Sequence, residues 1–407
     1  MTVEYRTLTL EDYEQAARVE ALAFYGTPTA ERVELMRKYF PPGWTVGAFV
    51  DGRLVADVRT IPTARNINGE SIPFGGVGPV ACLANYRRQG HVGRLLQLAL
   101  ERMRDQGQAM SGLHTPHDAL YARFGWERAE GKKRYEFRPK DVALRVRGAP
   151  GRVEQVGPDD WPRLDAIYQT YAGPRNGPLL RVEPWWREAV LRDFGDAGER
   201  RDNDAFVWVD GQGRDQGYVV YHSRQMPRDG RFAPWEVWVR DLVALCGDAY
   251  LGLWSHLLTH DLARQISIEI APHDPFPDLL EDPWKVRVMG AEGAMLRIVD
   301  VERAISLRPY CGHDRATFTM RIADTSAPWN EGIWRVEALE GRLRAERADA
   351  EPDVEMGVNV LAPLFTGHMH ADVAANVGLL KVHRPAAVGE MAEAFAVTYP
   401  PFCNDFY

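Results

Sequence analysis

The sequence predicts an α+β chain in which blocks of antiparallel strands are each closed by a strand-to-helix turn. Three observations lead there. The turn dipeptides Asp51-Gly52 and Asn68-Gly69 each separate runs that read as strands, the signature of tight hairpins. The run "YRRQGHVGRLL", Tyr86 to Leu96, joins an apolar stretch, Gly78 to Leu83, to residues at helical spacing, Leu96, Ala99 and Met103. The order strand, Asp-Gly turn, strand, strand, helix then returns between Ala205 and Ala263.

Each element has a local reason. Thr9 with Asp12 three residues on is a capping-box pattern, opening a helix whose apolar positions include Tyr13, Ala16, Ala17 and Leu22. A second helix covers Glu31 to Tyr39, and the two hairpins follow. After the helix through Met103, Gly107 suits a C-terminal cap, "AMSGLHT" reads as a short strand, and "DALYARFG" as a short helix ending at Gly125. A strand holding Tyr135 and Phe137 comes next. From about Met295 the composition changes: "MLRIVDVERAISLRPY", strands at "ATFTMRIAD" and "GIWRVEAL", a turn at Glu340-Gly341, and a helix from "DVEMGVNVLAPLF" onward.

Composition bounds the function. The 407 residues, 45% apolar and 26% charged, suffice for roughly two to four globular domains. A formal net charge of −8 excludes a general nucleic-acid binder and is compatible with a cationic substrate. Cys82, Cys246, Cys311 and Cys403 are scattered without C-x-x-C spacing, so no zinc site or disulfide framework is expected. His368-x-His370 lacks a third ligand at useful spacing, so no metal is expected there either. "MTVEYRTLTLEDYEQ" has no apolar signal core and no apolar stretch is long enough to span a bilayer; the expectation is a soluble cytoplasmic protein without a membrane partner.

The Arg/Gly run marks the place where chemistry is expected. A helix start leaves N–H groups unpaired and carries the positive end of the macrodipole, and glycine lets an anion approach. Phosphate fits; a solvated basic helix start is the alternative reading. Element order and turn resemble the GCN5-related N-acetyltransferase (GNAT) fold, whose signature Arg/Gln-x-x-Gly-x-Gly/Ala reads here Arg87-Arg88-Gln89-Gly90-His91-Val92. Val92 departs from the usual small residue. "HDALYARFGW" resembles the segment carrying the catalytic tyrosine of the enhanced-intracellular-survival (Eis) branch, which also tolerates bulk at that signature position. The resemblance covers the whole chain. It implies a catalytic GNAT domain (1–142), a second, degenerate GNAT domain (143–292) and a sterol-carrier-like domain (293–407) whose C-terminus enters the active site. The second turn, Cys246-Gly247-Asp248-Ala249-Tyr250, has no arginine and an aspartate that would repel phosphate, so that copy reads as silent.

What the resemblance implies chemically is an acetyl-CoA-dependent N-acetyltransferase acting on amines: aminoglycoside-type, polyamine or lysine amines, with no choice among them. The amides from Arg88 to Gly93 would grip the pyrophosphate, with charge from Arg87 and Arg88. The strand edge at Val80, Ala81 and Cys82 would pair with the pantetheine arm, and Pro116 and His117 would lie near the cofactor. Tyr121 maps onto the general acid, although an unperturbed phenol protonates a thiolate uphill by about 2 kcal/mol. The carboxylate of Tyr407, in "PPFCNDFY", maps onto the base, acting through the main chain. Phe402, Phe406 and Tyr407 are expected to be buried by their apolar area. Phe24, Tyr25, Met36 and Tyr39 line an amine pocket or are plain core, and Phe406 is a further candidate for it. The branch implies a homo-oligomer, a hexamer. The competing reading is a lipid or apolar-ligand binding protein, or an acetyl-CoA sensor, with a vestigial transferase site.

Overall fold

Both hairpin dipeptides turn as their sequences require: Asp51 and Gly52 have φ of 49° and 79°, Asn68 and Gly69 of 49° and 89°. Two consecutive left-handed residues match the twist of the flanking strands, which is why these pairs fix the register. The structure, a computed structural model, describes residues 2–40, 43–146, 148, 150–194, 200–227, 233–312 and 316–407. Up to residue 130 the order is β1 (Val3–Thr7), α1 (Tyr13–Ala23), α2 (Ala30–Tyr39), β2 (Thr45–Val50), β3 (Arg53–Ile67), β4 (Glu70–Cys82), α3 (His91–Asp105), β5 (Met110–Leu113), α4 (Asp118–Ala122) and β6 (Glu127–Arg128). The Thr9 N–H and Oγ1 both donate to Asp12, at 2.8 and 3.0 Å, but they cap a short 3-10 turn and α1 begins only at Tyr13. Leu22, expected on the apolar face of α1, is exposed; Val19 is buried.

The middle of the chain holds β7 (Lys132–Phe137), β8 (Gly151–Val156), α5 (Trp161–Ala172), the single turn α6 (Glu183–Trp185), β9 (Arg192–Phe194), β10 (Arg200–Asp202), β11 (Asp204–Asp210), β12 (Asp215–Gln225), β13 (Trp235–Ala244), α7 (Gly247–Leu257), β14 (Ala263–Ile270) and β15 (Arg287–Ala291). The last block holds β16 (Met295–Ile298), α8 (Val301–Leu307), β17 (Thr317–Ala323), β18 (Gly332–Leu339), β19 (Arg342–Arg347), β20 (Val354–Gly357), α9 (Val358–Phe365), α10 (Ala371–Asn376), β21 (Lys381–Val382) and α11 (Ala386–Ala394). The helix expected from "DVEMGVNVLAPLF" starts only at Val358, because Val354–Gly357 pairs in parallel with β17.

These elements form two compact units, one of residues 1–130, 294–401 and 407, the other of 131–293 and 402–406. The first unit contains a seven-stranded sheet, β1-β2-β3-β4-β5-β16-β6, and a five-stranded sheet, β19-β18-β17-β20-β21. The second contains the seven-stranded sheet β15-β7-β14-β13-β12-β11-β8. Two strands depart from the boundaries expected at 142 and 292. β7 bonds in the second sheet, between β14 and β15, and β16 closes the edge of β5 in the first. Open edges are covered by the strand that packs best, not by the next strand in sequence. The third block shares a unit with the first, so the three sequence blocks make two units.

In the first sheet the core is built from alternating strand residues and one stripe of α3. Leu95, Leu96, Ala99, Leu100 and Met103 are buried, each large side chain contributing about 1.5–3 kcal/mol.

Candidate active site

β4 pairs antiparallel with β3 from Glu70 to Cys82, with a register shift opposite Gly78 and Pro79. Its other edge meets β5 at only three places: Phe74 with Met110, Gly75 with Ser111, Gly76 with Gly112. Beyond Gly76 the two parallel strands part. From Val77 through Val80, Ala81 and Cys82, the edge of β4 turned toward β5 has no strand partner among the described residues. Such an edge is a template for an extended, amide-bearing chain.

The Arg/Gly turn follows directly. Arg88 and Gly90 both take left-handed φ, 61° and 87°, and α3 starts at His91 without a side-chain cap. A Cβ at Gly90 would meet no atom within 4 Å, so the space before the helix is open. Arg87 braces the turn by donating to the carbonyls of Cys82 and Ala23, both at 3.3 Å, and Gln89 donates to the Asn85 carbonyl at 3.0 Å. Arg88 is exposed, available to an anion in solvent. His91 is buried, its Nδ1 2.9 Å from the Tyr5 hydroxyl, so only its main chain faces the turn. Val92 packs against the core, and a Cβ at Gly93 would come 3.1 Å from the Phe124 ring, so glycine sets how closely α3 approaches that ring. Two left-handed residues beside open space, at the positive end of α3, suit a phosphate.

Tyr121 is largely buried, edge-on to Trp126 with ring centroids 6.4 Å apart. Burial pushes its phenol up to about 12. Its turn is held from beyond the block: Arg297 on β16 donates to the Phe124 carbonyl and pairs with Asp324 at 2.9 and 2.7 Å. Gly125, left-handed at 87°, leaves the room that Arg297 fills. Tyr407 belongs to the same unit. Its ring lies against Gly76, edge-on to Phe74 at 5.7 Å and to His114 at 5.0 Å. Its main-chain oxygen is 3.0 Å from where a Cβ of Gly78 would stand, so the Tyr407 main-chain carbonyl rests on β4 where the strands part. Arg65, fully buried and paired with Glu130, approaches the Tyr407 hydroxyl at 3.5 Å.

Other expected residues are placed differently. Met36 is buried in the main cluster of the first sheet, a core residue. Phe24 is exposed, and Tyr25 is 90% exposed at a left-handed φ of 60°, both in the loop after α1. Tyr39 is half-buried beside Lys38. Pro116 and His117 are exposed; His117 sits at the N-cap position of α4, with its N–H on the Thr115 hydroxyl at 2.9 Å. Phe406, expected to be buried, is 69% exposed and groups with the second unit. Sequence reasoning missed the buried ions Arg65–Glu130 and Arg297–Asp324. Their signal was available: a charge inside an apolar strand such as "MLRIVD" must find a partner.

The corresponding features of the second unit are filled. α7 begins at Gly247 with no left-handed residue in its turn, and a Cβ at Gly148 would lie 3.2 Å from the Asp248 carbonyl, so the chain itself covers this helix start. Where β13 leaves β14 after Val239, the Asn404 side chain donates to the Arg240 carbonyl at 2.6 Å. Asp405, completely buried, accepts from Arg181 and Trp185. In the third block a cavity of about 260 Å³ is lined by Leu364, Gly367, Met391, Phe395 and Val397, among others. Among the described residues no group of three or more His, Cys, Asp or Glu could hold a metal ion, and no helix is long and apolar enough to cross a membrane.

Comparison with known proteins matches this layout. Residues 4–129 and 177–298 each match an Acetyltransferase (GNAT) domain, and 301–404 match a Sterol carrier protein domain. The chain is 26% identical to N-acetyltransferase Eis of Mycobacterium tuberculosis over 98% of both chains, and 25% identical to an N-acetyltransferase of Streptomyces coelicolor over 99% of both. Among solved structures, Eis1 of Mycobacterium abscessus superposes with a TM-score of 0.82 at 25% identity, covering both chains fully. A GCN5-related N-acetyltransferase of Anabaena variabilis, at 19% identity and TM-score 0.86, shares the fold over both whole chains.

Proposed function

Because this chain belongs to the GCN5-related N-acetyltransferases, in their Eis branch, we propose that it moves an acetyl group from acetyl-CoA to the amine of an aminoglycoside-type, polyamine or lysine-bearing substrate. The observation that carries the reading is the open edge of β4 running straight into the left-handed Arg88–Gly90 turn. The edge from Val80 to Cys82 suits the amides of a pantetheine arm and the turn suits a pyrophosphate, so the residues fit acetyl-CoA. The cofactor supplies a thioester; the protein aligns it, which converts a bimolecular encounter into an oriented one.

A neutral amine attacks the thioester carbonyl carbon. With acetyl-CoA bound, an N–C bond would form and the C–S bond would break, and the proton lost by the amine would return through the base and solvent to the departing thiolate, giving an amide and a free thiol. The amine proton goes to the Tyr407 carboxylate, directly or through water, a role supported by its seat on Gly78 beside the open edge. Tyr121 serves the departing thiolate. With its phenol near 12, full transfer to a thiolate is uphill by about 5 kcal/mol, so Tyr121 acts chiefly as a hydrogen-bond donor to the developing charge. The second GNAT domain is silent, because its helix start and strand edge are occupied by the chain itself. The protein works in the cytoplasm as a homo-oligomer, a hexamer by family resemblance; four cysteines scattered without C-x-x-C spacing accord with a reducing compartment.

The test is thiol release from acetyl-CoA with a panel of polyamines, aminoglycosides and lysine peptides, alongside native mass spectrometry. Amine-dependent release and a CoA-mass adduct are expected. No release with any amine, with an apolar ligand bound instead, would overturn the reading.

A further inference from the structure

The apolar stripe of α1 runs through Tyr13, Ala16 and Ala17, and its next position, one turn on, is Glu20. A glutamate in that slot is buried in the core side of the helix. Facing it are Asp57 and Arg59, two apart on β3 and therefore on one face of the sheet. Asp57 lies opposite Ala81, in the middle of the open edge of β4. Arg59 donates to Glu20 and sits 4.5 Å from the centre of the Phe40 ring; Arg32 of α2 reaches Glu20 at 3.2 Å.

Asp57 is completely buried, and neither of its carboxyl oxygens receives a hydrogen bond from any described donor. The groups facing it are Glu20 on α1, Arg32 on α2, Arg59 on its own strand, and Cys82 at the end of β4, with Arg87 beyond; β2 offers only Gly47 opposite. Burial, and then the Glu20 charge, push the Asp57 carboxyl well above the usual carboxylate range, against the pull of Arg59 and Arg32. Two carboxylates cannot hydrogen-bond each other, whereas an acid and a carboxylate can.

We propose that Asp57 is a positioning residue for the acceptor side of the site: while it carries its proton it donates to Glu20 and holds the last turn of α1 on the sheet. Glu20 then accepts from Asp57, Arg59 and Arg32, which satisfies a buried carboxylate. When the proton leaves, the bond is lost and two buried like charges face each other. The turn that they push apart ends at Ala23, whose carbonyl Arg87 holds, and leads into the exposed Phe24 and Tyr25. Deprotonation therefore loosens the loop after α1, whose Phe24 and Tyr25 the family resemblance assigns to the amine side of the site. The kinetic part of this inference rests on the transferase reading; the protonation of Asp57 does not.

The test has two arms on the full chain. Carboxyl carbon NMR, with the Asp57 signal assigned by its loss in Asp57→Asn, follows the titration in the free protein; the signal should stay protonated at neutral pH. In steady-state kinetics the KM for the amine should rise toward alkaline pH while acetyl-CoA affinity stays level. Asp57→Ala, which cannot donate, should raise that KM at least about tenfold at neutral pH, the cost of losing a bond to a buried charge. Asp57→Asn, whose amide donates without titrating, should restore it and abolish the alkaline rise. Glu20→Gln should move the rise to lower pH. An Asp57 signal that titrates in the ordinary acidic range, or an alkaline rise that survives in Asp57→Asn, would overturn the proposal. If no amine is acetylated, the transferase reading fails, and the NMR arm still decides whether Asp57 holds its proton.

Discussion

Tyr121 shows how much a single environment changes a side chain. As a free phenol it would be a modest acid for a thiolate; burial against Trp126 makes it a weaker one and a better-placed donor. Tyr121→Phe removes the hydroxyl and keeps the ring packing, so turnover should fall roughly 10- to 1000-fold with the melting temperature nearly unchanged. Unchanged turnover in that variant would return Tyr121 to a packing role. The segment "HDALYARFGW" read in advance as a short helix, and Tyr121 lies on it. The exposure of Phe24 and Phe406 and the burial of Met36 were not readable in advance, because an apolar side chain has no local mark that says which face it will cover.

At the scale of the element, the turn from Ala84 to His91 is the most legible part of the chain. Glycine and a tolerant neighbour in left-handed conformation are local requirements, and a helix start is local too. Gly90→Asp places a carboxylate where the turn offers its amides and strains a left-handed position, so acetyl-CoA binding measured by calorimetry should be abolished. Asp248→Arg in the second copy should leave that affinity unchanged, since the start of α7 is already covered at Gly148. The opposite pattern would move the cofactor to the second domain. The parting of β4 from β5 could not be read from sequence. It depends on β5 ending at Leu113 while β4 continues to Cys82, a difference in length that only pairing reveals.

For the molecule as a whole, the tail joins sequence to site over the longest span. Residues 402–406 are anchored in the second unit, by Asp405 on Arg181 and Trp185 and by the Phe402 N–H on the Asn176 carbonyl at 3.0 Å. Tyr407 belongs to the first unit, against Gly76 and Gly78. The ring packs against Gly76, Phe74 and His114, contacts that a phenylalanine keeps, and the proposed role belongs to the main chain, so Tyr407→Phe should stay active. Adding a few residues after Tyr407, or deleting it, should abolish acetyl transfer and spare acetyl-CoA binding, as judged by thiol release and calorimetry on the same sample. Normal turnover in the extended protein would remove the carboxylate from the mechanism. What the sequence determined by itself was local: the two hairpin turns, the Arg/Gly turn before α3, the short helix that carries Tyr121 and the order of three blocks, each set by a few adjacent φ and ψ values or a short motif. Only the tertiary structure decided that β7 and β16 join sheets outside their own blocks, that Arg297 steadies the Tyr121 turn, and that Glu20, Asp57 and Arg59 share one buried site. Those outcomes depend on which distant residues bury each other's charge and edge, and a buried charge chooses its partner by proximity in the fold, not by position along the chain.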